Sequence, residues 1–403
     1  MVARALALVL GLTLAGCTSV RLVPPPQAEV SVAFDRSGEV AAFANGIADP
    51  QSGRKVTPDD PVRIASISKT LVAIGVMKLV EAGKLDLDAD VSLWLGWTLR
   101  NPAFPDRPIS LRQLLSHTSS IRDHDDQYAV PLGGSVRAVM ADRTSWDLEH
   151  PPGAKHFTYS NMNFPLIASI VEQVTGTRFD IWMRAKIIEP MKLDACFNWP
   201  TCSDLAIARA VQLSAPDGSA IRDDLHGKRP DCPVYAVEPT ACDLSLWRLG
   251  ENGALFAPQG GLRISARDLA RVGRMLLNGG VLDGARIISP TSVEMLLAPQ
   301  WRYDGSNGNT DKGFYCTYGL ATHTIPTEGR GCRDDPAGDG IVRVGHAGDA
   351  YGLRSGLWID RSSGTGVAYF VTGLGDDPLP GASAFRAAEE LAFQRALSLL
   401  AGR

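Results

Sequence analysis

Residues 66 to 69 read Ser-Ile-Ser-Lys, with Ser66 and Lys69 three apart at the point where an apolar helical run begins. Residues at that spacing share a helix face, so the hydroxyl and the amine stand side by side. A serine hydroxyl is a poor nucleophile at its own pKa and needs a neighbouring base to take its proton. A lysine desolvated one turn into a buried helix loses basicity and can share that work. Tyr159 is a second candidate base, because a phenolate is stabilised beside an ammonium and can later hand its proton to a leaving group. The residues leave open which of the two acts. Ser66 at a helix N-terminus has a further use, since its backbone N–H points at developing negative charge. A lone S-x-x-K is weak, as a chain of this size holds on the order of one by chance, and a capped helix with a stray lysine reads the same way. Its company strengthens it: Tyr159-Ser160-Asn161 lies about ninety residues on, and His346-Ala347-Gly348 lies shortly before the last strands.

These residues need elements to bring them together. Residues about 28 to 47 alternate apolar and polar with Gly and Asn breaks and read as two or three strands. Ser66 to about Glu81 reads as a helix stopped by Gly83, and the chain to about residue 240 is helical and loop-rich, with a helix over Asn163 to Val174. Ser265 to Gly280 opens on a capping serine and stops at paired glycines. Strands follow through VRVGHAGDAYGLRSGLWID and GTGVAYFVTGL, then a helix over Ala384 to Leu400. Strands near both ends with helices between them predict an α+β protein: an α/β lobe with an antiparallel sheet flanked by helices, about 28–85 and 245–403, and a mostly helical lobe, about 86–244. The site is expected in the cleft between the lobes.

The three motifs, in this order and at these distances, resemble the serine β-lactamase and penicillin-binding protein superfamily, specifically its class C-like branch. The resemblance covers roughly residues 55 to 400. LRQLLSHTSSI, Leu111 to Ile121, is similar to a family turn that usually reads LLTHTSGL, with Ser120 where a glycine is usual, and Gly260 to Pro290 is similar to a signature segment of the same branch. The resemblance implies a β-lactamase/transpeptidase-like fold and acyl transfer through Ser66, with Lys69 and Tyr159 catalytic. It also implies Asn161 bonding substrate amide or Lys69, and the backbone N–H of Asp349, just past Gly348, as second oxyanion donor. Gly348 fits close strand approach equally well. Where β-lactamases of this branch and many penicillin-binding proteins carry Lys-Thr-Gly, this chain has His346-Ala-Gly, and a neutral histidine offers no fixed charge to a substrate carboxylate. Members of the superfamily with His-x-Gly include D-aminopeptidases, D-amino-acid amidases and esterases, so the resemblance implies D-amino-acid peptides, amides or esters ahead of β-lactams and D-Ala-D-Ala peptides. The third motif also predicts that the His346 ring faces the substrate side of Ser66. A slow-acylating penicillin-binding sensor is the rival from outside the enzymes.

Other motifs carry less. Asp123, His124, Asp125 and Asp126 read as a charged loop rather than a metal site. Asn307, Asn309 and Asp311 echo a calcium loop but lack its glycine and closing glutamate. His117 reads as a structural, hydrogen-bonded histidine. No G-x-S-x-G elbow occurs, and neither a cofactor nor a metal is expected.

The chain has 403 residues, 45% hydrophobic and 21% charged, which suits a globular protein, and a net charge of -4 lacks the basic excess of a nucleic-acid binder. The first residues carry one arginine and a short apolar run ending Leu14-Ala15-Gly16-Cys17, which resembles a lipobox. It implies a signal peptide over 1–16, lipidation of Cys17, a proline-rich tether over 17–27, and a periplasmic hydrolase domain over 28–403 anchored to a membrane, the outer one first. A small-molecule or short-peptide substrate, cell-wall-derived or a β-lactam, is the expected partner. Six cysteines remain in three local couples, Cys196 and Cys202, Cys232 and Cys242, Cys316 and Cys332, which an oxidising compartment would close as disulfides. Zinc is the rival reading, without C-x-x-C spacing to support it.

Overall fold

The strands that pair across the chain's two ends build the platform for the site. The structure, a computed structural model, describes residues 23–237, 242–375 and 379–402; the apolar leader and Cys17 lie outside the described residues. Near the N-terminus run β1 (Ala28–Asp35), β2 (Glu39–Asp49), β3 (Arg54–Lys55) and β4 (Val62–Arg63). Two short strands follow, β5 (Cys196–Phe197) and β6 (Leu262–Ile264). The last are β7 (Trp301–Arg302), β8 (Thr317–Tyr318), β9 (His323–Ile325), β10 (Arg343–Ala350), β11 (Leu353–Asp360) and β12 (Thr365–Thr372). One antiparallel sheet takes the order β7-β8-β9-β10-β11-β12-β1-β2-β3, so the first strand zips onto the last, Ala28 opposite Thr372 and Asp35 opposite Thr365.

Helices cover both faces of that sheet, which explains why β11 and β12 are buried almost throughout rather than alternating with polar residues. Ala368 and Phe370 join the large core with Leu269 and Val272, while Val367, Tyr369 and Val371 pack with Ala392, Phe393 and Ala396. The first set faces the helix Ala266–Leu277, whose Ser265 accepts the Asp268 N–H as an N-cap. The second faces Ala387–Ala401. Gly273 lets the first helix lie close on the sheet, since a Cβ there would come within 2.3 Å of the Phe34 ring.

Three strands in the order β4-β6-β5 form a second, small sheet, from which the chain enters a 3₁₀ turn, Ala65–Ile67, and then the helix α1, Ser68–Glu81. The α-helix expected from Ser66 starts at Ser68 instead, and Ser66 lies in the tighter turn before it. α1 is buried around most of its circumference, with Leu71, Ile74 and Val76 fully enclosed, each such side chain adding about 1.5–3 kcal/mol. It is a central strut, which explains how it holds a lysine away from water. The loop-rich middle of the chain contributes α2, Asn163–Thr175, close to the span read from sequence. Disulfides join Cys196 to Cys202, Cys232 to Cys242 and Cys316 to Cys332, with Cα separations of 5.0, 5.5 and 6.0 Å.

Candidate active site

The Ser66 turn is locked from three sides. Ala65 takes a left-handed φ of 50°, unusual for a residue with a Cβ, and directly precedes the serine. The Ser68 hydroxyl donates to the Ala65 carbonyl at 2.6 Å and accepts the Leu262 N–H at 3.0 Å, tying the turn to β6. From the other side Ser355 on β11 donates to the Ile64 carbonyl at 2.9 Å. Gly348 on β10 lies against the same turn: a Cβ there would sit 2.3 Å from both the Ile64 carbonyl oxygen and the Ser355 hydroxyl. Only glycine lets this strand reach the serine so closely.

Lys69 is fully buried, and its Nζ lies 3.0 Å from Ser66 Oγ, 2.8 Å from Asn161 Oδ1 and 2.7 Å from the Gln259 carbonyl. Burial pulls its pKa down to about 7, against the opposing charge of Asp123. At neutral pH a large share of the amine is therefore uncharged, and its lone pair can accept the Ser66 proton. Three oxygens around one nitrogen fix its position in either state.

The Tyr159-Ser160-Asn161 turn is clamped by one carboxylate. Asp123 accepts the Ser160 hydroxyl at 2.8 Å, the Asn161 N–H at 2.8 Å, the Asn161 side-chain amide at 2.9 Å and the Met162 N–H at 3.1 Å. Asp123 is thus more than part of a charged loop: it aims Asn161 at Lys69. His117 is structural, as expected: Nδ1 accepts the Ser160 N–H at 3.0 Å, and burial keeps its pKa well below the ordinary value. Its ring stacks on Tyr159, with centroids 4.3 Å apart, and Tyr315 stacks on Tyr159 at 4.8 Å. Lys69 Nζ lies 5.0 Å from the Tyr159 ring centre. The Tyr159 hydroxyl is buried, with Ser66 and Tyr315 close enough to oppose the effect in part but neither in hydrogen-bond geometry, and burial pushes its pKa well up. Tyr159 is therefore a neutral phenol in the resting protein.

His346 departs from the sequence expectation. Its side chain does not face the cleft: the residue is 2% exposed, Nδ1 meets the Ala347 carbonyl at 2.5 Å and Nε2 meets the Tyr318 hydroxyl at 2.7 Å. A carbonyl only accepts, so Nδ1 carries the proton and Nε2 accepts from Tyr318. Burial, with the charge of Lys69 nearby, pulls its pKa down to about 3. The ring stays neutral across the working pH range and acts as packing behind Tyr159. Asp349, one residue past Gly348, does reach the cleft; its side chain is exposed and paired with Arg354.

A cleft of about 1230 Å³ opens over Ser66, lined by Tyr159, Asn161, Gln259, Tyr315 and Asp349 among others. Sequence reasoning missed Asp123, Gln259 and Tyr315. Gln259 contributes only a carbonyl, which no residue-type pattern reveals, although it directly precedes the Gly260-Gly261 signature. Among the described residues one group has metal-type donors in reach of one another, Asp147, His150 and His156, all within 4.8 Å. The two histidine rings stack at 3.5 Å and 3°, so their in-plane lone pairs do not converge on one point.

A sequence model of the Beta-lactamase family matches residues 25–392. The chain belongs to that family. It is similar to penicillin-binding protein 4 of Amycolatopsis lactamdurans, 27% identical over 67% of this chain and 65% of that protein, so it spans less than two thirds of that relative's length. It is similar to esterase EstB of Burkholderia gladioli, 26% identical over 82% of each. The D-amino acid amidase of Ochrobactrum anthropi SV3 shares the fold, with a TM-score of 0.64 at 19% identity over 93% of this chain and 94% of that one. The fold is thus β-lactamase/transpeptidase-like, an antiparallel sheet flanked by helices.

Proposed function

We propose that the protein is a serine hydrolase that opens amide and ester carbonyls through an acyl-Ser66 intermediate. The observation that carries this is the 3.0 Å contact of Ser66 Oγ with an amine whose pKa burial brings to about 7. Lys69 accepts the serine proton as Oγ attacks the carbonyl carbon. The oxyanion that forms is held by the N–H groups of Ser66 and Asp349. The proton passes to the leaving amine or alcohol, with the neutral phenol of Tyr159 beside the nucleophile positioned to relay it, and the carbon–heteroatom bond breaks. Water then attacks the ester, Lys69 takes its proton, and Ser66 is released with the acid product. Asn161 bonds the substrate amide and Lys69.

The substrates proposed are D-amino-acid amides or peptides and simple esters. The similarity to an esterase over most of the chain and the D-amino acid amidase fold support this, as does a third motif whose histidine carries no charge. A penicillin-binding sensor remains the second reading, favoured by the similarity to penicillin-binding protein 4. Placement in the class C-like branch, lipidation at Cys17 and a periplasmic, outer-membrane-anchored location belong to the same proposal. The branch rests on the Ser66, Tyr159 and His346 motifs and the Gly260 to Pro290 segment, and lipidation and location rest on the Leu-Ala-Gly-Cys run and the three disulfides. Turnover of a chromogenic ester by the wild type with an acyl adduct on Ser66 supports the hydrolase. Labelling of Ser66 by penicillin without turnover of any ester or amide would select the sensor.

A further inference from the structure

His346 leaves the cleft without a cation from the third motif, yet a different cationic group lies beside the nucleophile. Arg63 ends β4 three residues before Ser66 and lies directly across from Arg263 on β6. Two guanidiniums side by side repel, and among the described residues one carboxylate, Asp223, separates them. Asp223 Oδ1 meets Arg263 Nη2 at 2.6 Å and Arg63 Nη2 at 3.2 Å, while Oδ2 meets Arg63 Nε at 3.3 Å. The three side chains are 8%, 2% and 3% exposed for Arg63, Arg263 and Asp223, so the cluster buries a net positive charge. A buried excess charge is costly unless something answers it.

Arg263 is held at both Nη atoms: Nη2 by Asp223, Nη1 by the Gly261 carbonyl at 3.1 Å, with the guanidinium 3.6 Å from the centre of the Trp199 ring, while its Nε is buried without a partner among the described residues. It does not line the cleft. Arg63 does, and its Nη1 has no protein acceptor among the described residues. Tyr351, with a left-handed φ of 54°, sits two residues beyond Asp349 and carries guanidiniums near its ring, Arg63 at 5.6 Å and Arg222 at 4.7 Å. Arg222 donates to the Tyr351 hydroxyl at 2.9 Å and also lines the cleft. The neighbouring Asp224 is bound by His226 at 2.5 Å. Among the described residues the other cleft carboxylates are Asp126, Asp311 and Asp349, the last paired with Arg354.

We propose that Arg63 and Arg222, set against Tyr351, form an anion subsite that receives a carboxylate of the substrate. The subsite rests on the hydrolase reading above and sharpens it: the favoured substrates are amides or esters that bear a carboxylate away from the scissile bond. The planar fork of Arg63 suits a carboxylate, and the buried Asp223 holds that fork in one orientation. The charge that the third motif does not supply thus enters from the strand preceding the nucleophile.

Two matched pairs of esters test this. p-Nitrophenyl hexanoate and mono-p-nitrophenyl adipate differ only in a terminal carboxylate on the acyl side. Phenyl acetate and 3-acetoxybenzoate differ in one on the leaving group. In each pair the ratio of kcat/KM for the anionic to the neutral ester, compared between wild type and variant, cancels intrinsic reactivity. Arg222→Ala and Arg63→Met should lower that ratio roughly tenfold in at least one pair, mainly through KM, and Arg63→Lys should restore part of it. Raising the salt concentration should narrow the wild-type preference. Arg222 lies on an exposed strand, so its variant keeps the test alive where Arg63→Met fails to fold. Calorimetric titration of Ser66→Ala protein, with and without Arg222→Ala, by 3-acetoxybenzoate and by adipic acid monoamide reads the subsite without turnover. Binding that needs Arg222 in a wild type that hydrolyses no ester would sink the hydrolase and keep the subsite. Hydrolysis with unchanged ratios in both pairs, together with binding indifferent to Arg222, would sink the subsite and keep the hydrolase.

Discussion

Lys69 and His346 are both buried nitrogen bases packed around Tyr159, and burial sends them to opposite fates. Desolvation lowers the pKa of each, because it penalises the charged form. Lys69 starts high, is held up in part by Asp123, and arrives at about 7, where a base is most useful. His346 starts near neutrality, has Lys69 rather than a carboxylate as its charged neighbour, and arrives at about 3, where it never charges. The same physical cost therefore makes one region reactive and the other inert. Starting value and neighbouring charge decide which.

The largest effect should follow loss of the nucleophile. Ser66→Ala should cut turnover by roughly a thousandfold or more with the thermal melt little changed, and intact-protein mass spectrometry of the wild type should find acyl groups on Ser66. An adduct on Ser160 or Ser119 would break the comparison at its base. Lys69→Arg should lose roughly a hundredfold or more, since a guanidinium stays protonated and cannot take the serine proton. Activity retained in that variant would mean that Lys69 is no base.

Asp123→Asn sharpens the electrostatic half of the comparison. Removing the charge that holds the Lys69 pKa up should move the acidic limb of the pH–rate profile to lower pH. Loosening the Tyr159-Ser160-Asn161 turn should cost about tenfold in kcat, as aim is lost. His346→Gln should have the smallest effect, leaving the shape of the profile between pH 5 and 8 unchanged, because a ring with a pKa of about 3 does not titrate there. His346→Lys, by contrast, would bury a charge against Tyr318 and should destabilise the protein by about 3 kcal/mol, visible as a lowered denaturation midpoint.

Much of this was legible in the sequence where the signal is local. The Ser66–Lys69 spacing and the Ser265 cap each follow from residues a turn apart, and both are found as expected. Ser120, in the turn where the resemblance leads one to expect a glycine, adopts a left-handed φ of 60°. What stayed hidden depends on contacts far apart in sequence. The Asp123 clamp joins residues 38 apart, the Gln259 carbonyl reaches Lys69 across 190, and Asp223 meets Arg63 across 160. No period marks such pairs. The orientation of His346 was missed because strand alternation assigns a face to a residue, while the Tyr318 hydroxyl across the sheet decides where its ring rests.

The central claim is that a buried, partly neutral Lys69 takes the Ser66 proton. Its most direct test is the pH dependence of kcat/KM for a neutral ester such as p-nitrophenyl butyrate, measured from pH 5 to 9 in the wild type and in Asp123→Asn. Deprotonation activates the base, so the rate should climb tenfold per pH unit below about pH 7, level off above it, and show that bend at lower pH in Asp123→Asn. A profile flat across this range, or one still climbing at pH 9 and indifferent to Asp123, would contradict it.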